Sequence, residues 1–560
     1  MKIAIIFPPI FDPSMPYLAP FQLKSYIKKR RPSCEIDVCD LNILFFNSIV
    51  NNPYKNFNYS LNNTSSYESI ITCESSITSA LSNWSQTHGV EITRQSADYF
   101  FDTSNSEGYE SFLENTTPFE NYLSNLIINH IDIPKYDLFF FSITSYEQLL
   151  PSLILSKIVK SMNKTTNICL GGNIISRIFK GLLNSPLLTS IDFLVIKEGE
   201  LPSVNLVDYL SNRKPGNLTN SLIEVSTKKV IDRTQKSKIF EIDQIPTIEF
   251  NEEELGLYFS PEPVIPISLA RGCSWGKCSY CGIHTVWGSG YRTKLPIKLA
   301  NEIENHKRRY STNNFRLIDE SPAIKDLLKL SDELISKNLE VNIETYLNLS
   351  SALSDRETTN TLYEAGFNQL FLGIESLNKE LLTEIGKSIN HPNRYADLLE
   401  STHEAGISNY SFLMVGLPND SINNELEVEK FVLSNSDIDT IAISSFIPLS
   451  NSPMYSDISF QSKHGIKFTP RGPLTTRCDY KTNNRDVSEE TNNRAKAMAN
   501  RIFIGRRDLC LSSNIPYESR FYLINKFGNN CFKDLAKATS FSFNEPLIST
   551  ELDGRLTGLK

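Results

Sequence analysis

Apolar residues recur along this chain in two rhythms. Short continuous runs read as strands. Longer stretches with apolar positions three and four apart read as helices. The run at 2–7 is such a strand. A proline-rich loop follows over 8–20, then a helix at 21–29 and an alternating strand at 35–40. The strand pattern resumes at 136–142, where Leu138-Phe139-Phe140-Phe141 fits burial on both faces. A helix fits 146–162. Residues 167–173 run from a strand into Gly171-Gly172-Asn173, and a further strand at 191–196 ends on Lys197-Glu198-Gly199-Glu200. Strands that alternate with helices predict a parallel sheet. Residues 1–210 are therefore expected to form a doubly wound, Rossmann-like α/β domain. An Asn- and Ser-rich insertion, part helix and part loop, interrupts it at about 47–129. Ligands of such sheets sit at the carboxyl ends of the strands, which points to the polar and glycine-rich turns.

The second half repeats the alternation. Residues 211–262 read as a linker with a small hairpin at 222–232, and Pro261, Pro263 and Pro266 mark its end. Six strands are then predicted at 265–270, 314–319, 341–345, 369–373, 410–415 and 440–446. Helices at 296–310, 324–337, 356–365, 379–385 and 395–405 separate them. Six such units predict a partial, TIM-like (β/α)6 barrel over 263–460. Residues 461–560 read as a mixed, mainly helical region, with a helix at 488–510.

Composition narrows the classes. The chain has 560 residues, enough for two or three cores. Its net charge of −8 speaks against a general nucleic-acid binder. The basic run at 28–31 reads as a solvated helix end. No apolar run approaches the ~18 residues that span a bilayer. Pro8-Pro9 cuts the apolar start short, so neither a secretion signal nor a membrane partner is expected and the cytoplasm is the expected compartment. Seven of the ten cysteines are scattered; Cys273, Cys278 and Cys281 lie within nine residues. In a reducing compartment such a cluster points to metal rather than disulfides.

The cysteine stretch directly follows the first strand of the predicted barrel, where active-site loops lie. Thiolates suit zinc or an iron–sulfur cluster. One reading is a structural zinc site with His284 as fourth ligand, in a binding protein without catalysis. The other is a cluster held by three cysteines on three irons, which leaves one iron open.

The stretch Ala270-Arg271-Gly272-Cys273-Ser274-Trp275-Gly276-Lys277-Cys278-Ser279-Tyr280-Cys281-Gly282 resembles the cluster loop of the radical SAM (S-adenosylmethionine) superfamily. The first gap holds four residues where three are usual. Phe315-Arg316-Leu317-Ile318-Asp319-Glu320 resembles the second strand of that family, which ends on an acid. Phe371-Leu372-Gly373-Ile374-Glu375-Ser376 is similar to its Gly-Ile-Glu-Ser run, and Gly416-Leu417-Pro418 to its Gly-x-Pro turn. Ile447-Pro448-Leu449 with Pro453-Met454-Tyr455 resembles the segment after the sixth strand. The resemblance implies a 4Fe–4S cluster on Cys273, Cys278 and Cys281, with SAM on the open iron. It places Tyr280 beside the adenine. It gives Asp319, Glu375 and Ser376 to the polar groups of SAM. It also implies an external electron donor such as flavodoxin or ferredoxin, and reductive cleavage of SAM to a 5′-deoxyadenosyl radical.

The first domain resembles the cobalamin-binding domains found in part of that superfamily. Pro8-Pro9, Ser142-Ile143-Thr144-Ser145, Gly171-Gly172-Asn173 and Glu198-Gly199-Glu200 carry the likeness, each where a strand ends. It implies cobalamin contacts from Pro9, Ser142, Thr144, Gly171, Gly172 and Glu198. None of the seven histidines stands in the Asp-x-His-x-x-Gly pattern of cobalt-ligating relatives. The class implied is a cobalamin-dependent enzyme that methylates carbon in a natural-product or peptide substrate. Cyclisation, rearrangement and a reaction without cobalamin are the alternatives.

Overall fold

The computed structural model describes residues 1–538, except 58, 60–61, 215–217, 235–239, 289 and 484. The first sheet joins β1 (Lys2–Phe7), β2 (Glu35–Asp40), β3 (Leu138–Ser142), β4 (Asn167–Gly171), β5 (Phe193–Val195), β6 (Leu222–Glu224) and β7 (Lys229–Val230). Their order is β2-β1-β3-β4-β5-β6-β7. The first five are parallel, with Ile3 opposite both Ile36 and Leu138. Side-chain alternation splits these strands between two cores. Ile3, Ile5, Leu138 and Phe140 pack on one face with Tyr26 and Leu201. Ala4, Ile6, Phe139 and Phe141 pack on the other. Both faces are thus dry, as the unbroken apolar runs require.

The segment read as a linker does more than connect. Its hairpin forms, and β6 pairs antiparallel with β5, so the hairpin extends the first sheet. Asp232 fixes it, accepting the N–H groups of Ser221 and Leu222 at 2.9 Å each.

The insertion is also built in. Its main helix, Asn63–His88, starts on the Asn62 side chain and ends on Gly89 in the left-handed conformation. The helix packs on the carboxy-terminal helices Tyr517–Phe527 and Cys531–Ala538. Tyr54, just ahead of it, shares a 2.9 Å hydrogen bond with Ser519.

The second sheet holds β8 (Val264–Ile267), β11 (Asn314–Leu317), β12 (Asn342–Leu347), β13 (Phe367–Glu375), β14 (Ser408–Val415) and β15 (Thr440–Ser445). All are parallel, and each pairs with the next in chain order. The short strands β9 (Ala270–Arg271) and β10 (Arg292–Thr293) form a separate antiparallel pair that brackets the cysteines. Beyond residue 460 come a three-stranded antiparallel sheet and four helices between Ser488 and Ala538. Among the described residues no helix is long and apolar enough to cross a membrane.

Candidate active site

The three cysteines lie between β9 and β10, at the carboxyl end of the second sheet. Gly272 opens the loop at φ +80°, and a Cβ there would stand 2.4 Å from the Gly290 carbonyl oxygen, so only glycine fits the crossing. All three thiols are half-buried and none is in a disulfide. Burial pushes the Cys281 thiol up to about 12 and raises that of Cys278, which Lys387 opposes. The thiols are mutual electrostatic neighbours.

Neighbouring strand ends brace this loop. Ser274 N donates to Ser321 O at 3.0 Å, and Asn348 Nδ2 lies 4.0 Å from Cys273 Sγ. Ser279 N donates to Ile385 O at 2.9 Å, and Trp275 Nε1 to Gly386 O at 2.8 Å. Met454 N donates to Ser279 O at 2.7 Å. The loop around Cys273 and Cys278 is therefore held by the turns after β11 and β12, by the end of the 379–384 helix and by the 453–456 helix. Among the described residues, no three His, Cys, Asp or Glu side chains converge as tightly as one metal ion needs. Thiolates on separate corners of a cluster need no single point of convergence, and the soft, half-buried donor set suits iron–sulfur.

The residues expected at SAM divide into two groups. Glu375 is brought to the cysteines. Its carboxylate takes a 2.5 Å hydrogen bond from buried Lys387, and both are electrostatic neighbours of Cys278. Glu375 holds φ +62°, a strained value for a non-glycine residue and of a kind that clusters at functional sites. Tyr280 is a hydrogen-bond neighbour of Cys278 and packs with Leu381, Leu417 and Met454. Ser376 is buried, with Oγ accepting from Asn378 N at 3.1 Å.

Asp319 is placed differently. Its carboxylate accepts from Ser268 Oγ at 2.8 Å and from the N–H groups of Leu269 and Ala270 at 2.9 and 2.8 Å. Burial lifts it to about 7, against those donors. Asp319 thus staples the strand that leads into the cysteines, and its oxygens are spent on protein donors. It still lines the cavity described next.

Two cavities meet beside the loop. The larger, about 1250 Å³, lies between the 11–22 loop and the second sheet. Phe11, Tyr17, Trp287, Tyr346, Phe371 and Tyr517 give it aromatic walls. Its charged groups are matched within the protein. Asp12 pairs with Arg94 of the insertion, which holds its carboxyl low despite burial. Arg316 lies between Glu344 and Glu518. Burial raises Glu344 to about 7, which Arg316 opposes.

The second cavity, about 840 Å³, sits at the carboxyl ends of β3, β4 and β5. Ser142, Thr144, Gly171, Gly172 and Glu198 all line it. The structure thus brings these five sequence-predicted residues to one cavity. Pro9 does not line it. Gly172 holds φ +115°, and a Cβ there would stand 2.2 Å from the Ile143 carbonyl oxygen. Thr144 Oγ1 meets Tyr17 OH at 2.7 Å. Glu198 faces protein cations: Arg271 Nη1 donates to it at 2.9 Å and Arg292 Nη2 at 2.7 Å. Tyr17, Gln22, Arg271 and Trp287 wall both cavities. The first-sheet cavity lies at the strand ends where doubly wound sheets bind ligands, and no histidine lines it.

Sequence reasoning missed Lys387, Asn348 and the pairing roles of Arg271 and Arg292. Only the first two lack any local signal. Arg271 and Arg292 stand on either side of the cysteines, two residues before Cys273 and eleven after Cys281.

Comparison with known proteins places this architecture. Residues 267–432 match the radical SAM superfamily model. The chain therefore carries a radical SAM domain, the class whose cofactors are a 4Fe–4S cluster and SAM. Bacteriochlorophyllide d C-8(2)-methyltransferase of Chlorobaculum tepidum is 28% identical over 180 residues, 30% of this chain and 39% of that protein. Anaerobic magnesium-protoporphyrin IX monomethyl ester cyclase of Rubrivivax gelatinosus is 28% identical over 250 residues, 43% and 44% of the two chains. The matches span less than half the length of these relatives. The fold is similar to the cobalamin-dependent SAM radical enzyme OxsB, with a TM-score of 0.60 at 12% identity, covering 96% of this chain and 78% of that one. It is also similar to the radical SAM methyltransferase TsrM of Kitasatospora setae, with a TM-score of 0.57 at 13% identity, covering 96% and 99%.

Proposed function

We propose that this chain is a cobalamin-dependent radical SAM enzyme that transfers methyl to a carbon of a small-molecule or peptide substrate. The observation that carries the reading is the shared wall. The cavity at the first sheet opens beside the one at the second, and the base of the cysteine loop stands between them. When bound, the cluster and SAM supply one-electron cleavage of a sulfonium C–S bond, and cobalamin supplies a methyl group.

The protein's own part is placement. Cys273, Cys278 and Cys281 would hold the cluster, with an external electron donor to reduce it. Glu375 would accept from the SAM ammonium or ribose, its charge steadied by Lys387. Tyr280 would pack beside the adenine. Ser142, Thr144, Gly171 and Gly172 would surround the corrin, Gly172 because its backbone permits close approach. The second sheet serves as the partial barrel that keeps water from the reacting groups. The aromatic walls favour a substrate with a flat, apolar part.

The test uses anaerobically reconstituted protein. It should retain corrin absorbance after gel filtration with hydroxocobalamin, and release 5′-deoxyadenosine from SAM under dithionite. Release without retained corrin would leave a radical SAM enzyme and remove the cobalamin reading.

A further inference from the structure

The cysteine loop is closed at its base by an antiparallel pair in which Arg271 stands opposite Arg292. Both guanidiniums reach one turn of the first domain, Glu198-Gly199-Glu200. Arg271 Nη1 donates to Glu198 Oε1 at 2.9 Å and to Glu200 Oε2 at 3.2 Å, and its Nη2 donates to Glu200 as well. Arg292 donates to both oxygens of Glu198, at 2.7 and 2.9 Å. Gln22 adds a donor to Glu200. The Arg271 and Glu200 side chains are only 6% and 5% exposed. Phe240 and Trp287 each lie 5.2 Å from the Arg271 guanidinium.

This arrangement is a joint. Solvent screens a surface ion pair, but not a buried fork of charge-assisted hydrogen bonds. Glu198 and Glu200 belong to the turn that lines the first-sheet cavity. Arg271 stands two residues before Cys273. A shift of the turn therefore moves the base of the cysteine loop, and the reverse holds. Among the described residues, the ion pairs of that turn with the second half of the chain are those of Arg271 and Arg292.

We infer that Arg271 and Arg292 are positioning residues that couple the two cofactor sites: a corrin in the first cavity tightens SAM binding at the cysteine loop. The inference rests on the function proposed above. Its physical basis is shared ordering. Each ligand needs the turn and the loop base held in one arrangement, and the first to bind settles it for the second. The effect must be reciprocal.

The experiment uses the full chain with its cluster reconstituted anaerobically. SAM is titrated with and without saturating hydroxocobalamin. Binding is read by equilibrium dialysis and by the electron paramagnetic resonance signal of the reduced cluster. In the unaltered protein SAM should bind about fivefold tighter or more when hydroxocobalamin is present. Hydroxocobalamin should gain the same factor from SAM. Arg292→Lys, whose side chain lines neither cavity, should keep its iron and bind each ligand, while the factor falls towards one. Arg292→Gln is the second variant should Arg292→Lys fold poorly. A factor of one in the unaltered protein, with both ligands bound, overturns the coupling alone. So does an undiminished factor in the variants. Failure to retain hydroxocobalamin overturns the proposed function, and the coupling with it.

Discussion

The two sheets treat their carboxyl ends in opposite ways. At the first sheet the ends are small: Ser142, Thr144, Gly171 and Gly172 surround a cavity with backbone and short side chains. At the second sheet the ends are long and already engaged. Asp319 staples the strand before the cysteines, and Glu375 is paired with Lys387 beside them. The difference teaches how one chain can serve two ligands of unlike size. A wide, preformed ligand needs room, which small residues provide. A cluster needs its thiols fixed, and the second sheet spends its polar side chains on that. Glu198 serves both: it lines the first cavity and belongs to the joint between the regions.

The sharpest way to break the contrast is Lys387→Met. It would leave the buried Glu375 carboxylate without its cation, and breaking such a pair costs about 3–5 kcal/mol. Urea unfolding should show that loss, and SAM affinity should fall with corrin retention unchanged. Gly172→Ala attacks the other side. The backbone there disfavours any side chain, and strain of this kind costs about 1–3 kcal/mol. Corrin retention should drop while iron and sulfide content stay at the unaltered level. If both variants damaged both ligands equally, the division of labour would be wrong.

The smallest effect is a pH dependence shared by both sheets, since burial also raises Asp40, at the end of β2, to about 7. Burial raises Asp319 and Glu344 to about 7, from ordinary values of 3.8 and 4.5. Between about pH 4.5 and 7 the folded protein keeps protons that the unfolded chain has released. Stability therefore falls as pH rises through this window. Denaturation midpoints at pH 5 and pH 7 should show the decline. Asp319→Asn should make it shallower, with Glu344 and Asp40 left to titrate.

Much of this was legible in the sequence, for physical reasons. Runs such as Leu138-Phe139-Phe140-Phe141 can only be strands buried on both faces, so the alternating elements could be placed from pattern alone. The glycines and small polar residues at strand ends marked the first cavity, because doubly wound sheets bind ligands there. The hairpin at 222–232 was visible, but not its pairing onto β5, since antiparallel extension of a parallel sheet leaves no local mark. The insertion read as part helix and part loop, and its docking was hidden because its packing surface is supplied by helices more than 400 residues further on. Asp319 was ambiguous for a related reason: an acid at a strand end reads alike whether it meets a ligand or the backbone beside it. Lys387 was invisible, since its partner Glu375 is reached only through the fold.

The central claim is that Cys273, Cys278 and Cys281 hold a 4Fe–4S cluster that cleaves SAM. The direct measurement is 5′-deoxyadenosine released from SAM by the anaerobically reconstituted, dithionite-reduced chain, beside its Cys278→Ala variant. The account predicts iron and labile sulfide in the unaltered protein with steady release of 5′-deoxyadenosine, and loss of that release in the variant. A reconstituted protein that holds zinc without labile sulfide, or that releases no 5′-deoxyadenosine with its cluster intact and reduced, would contradict it.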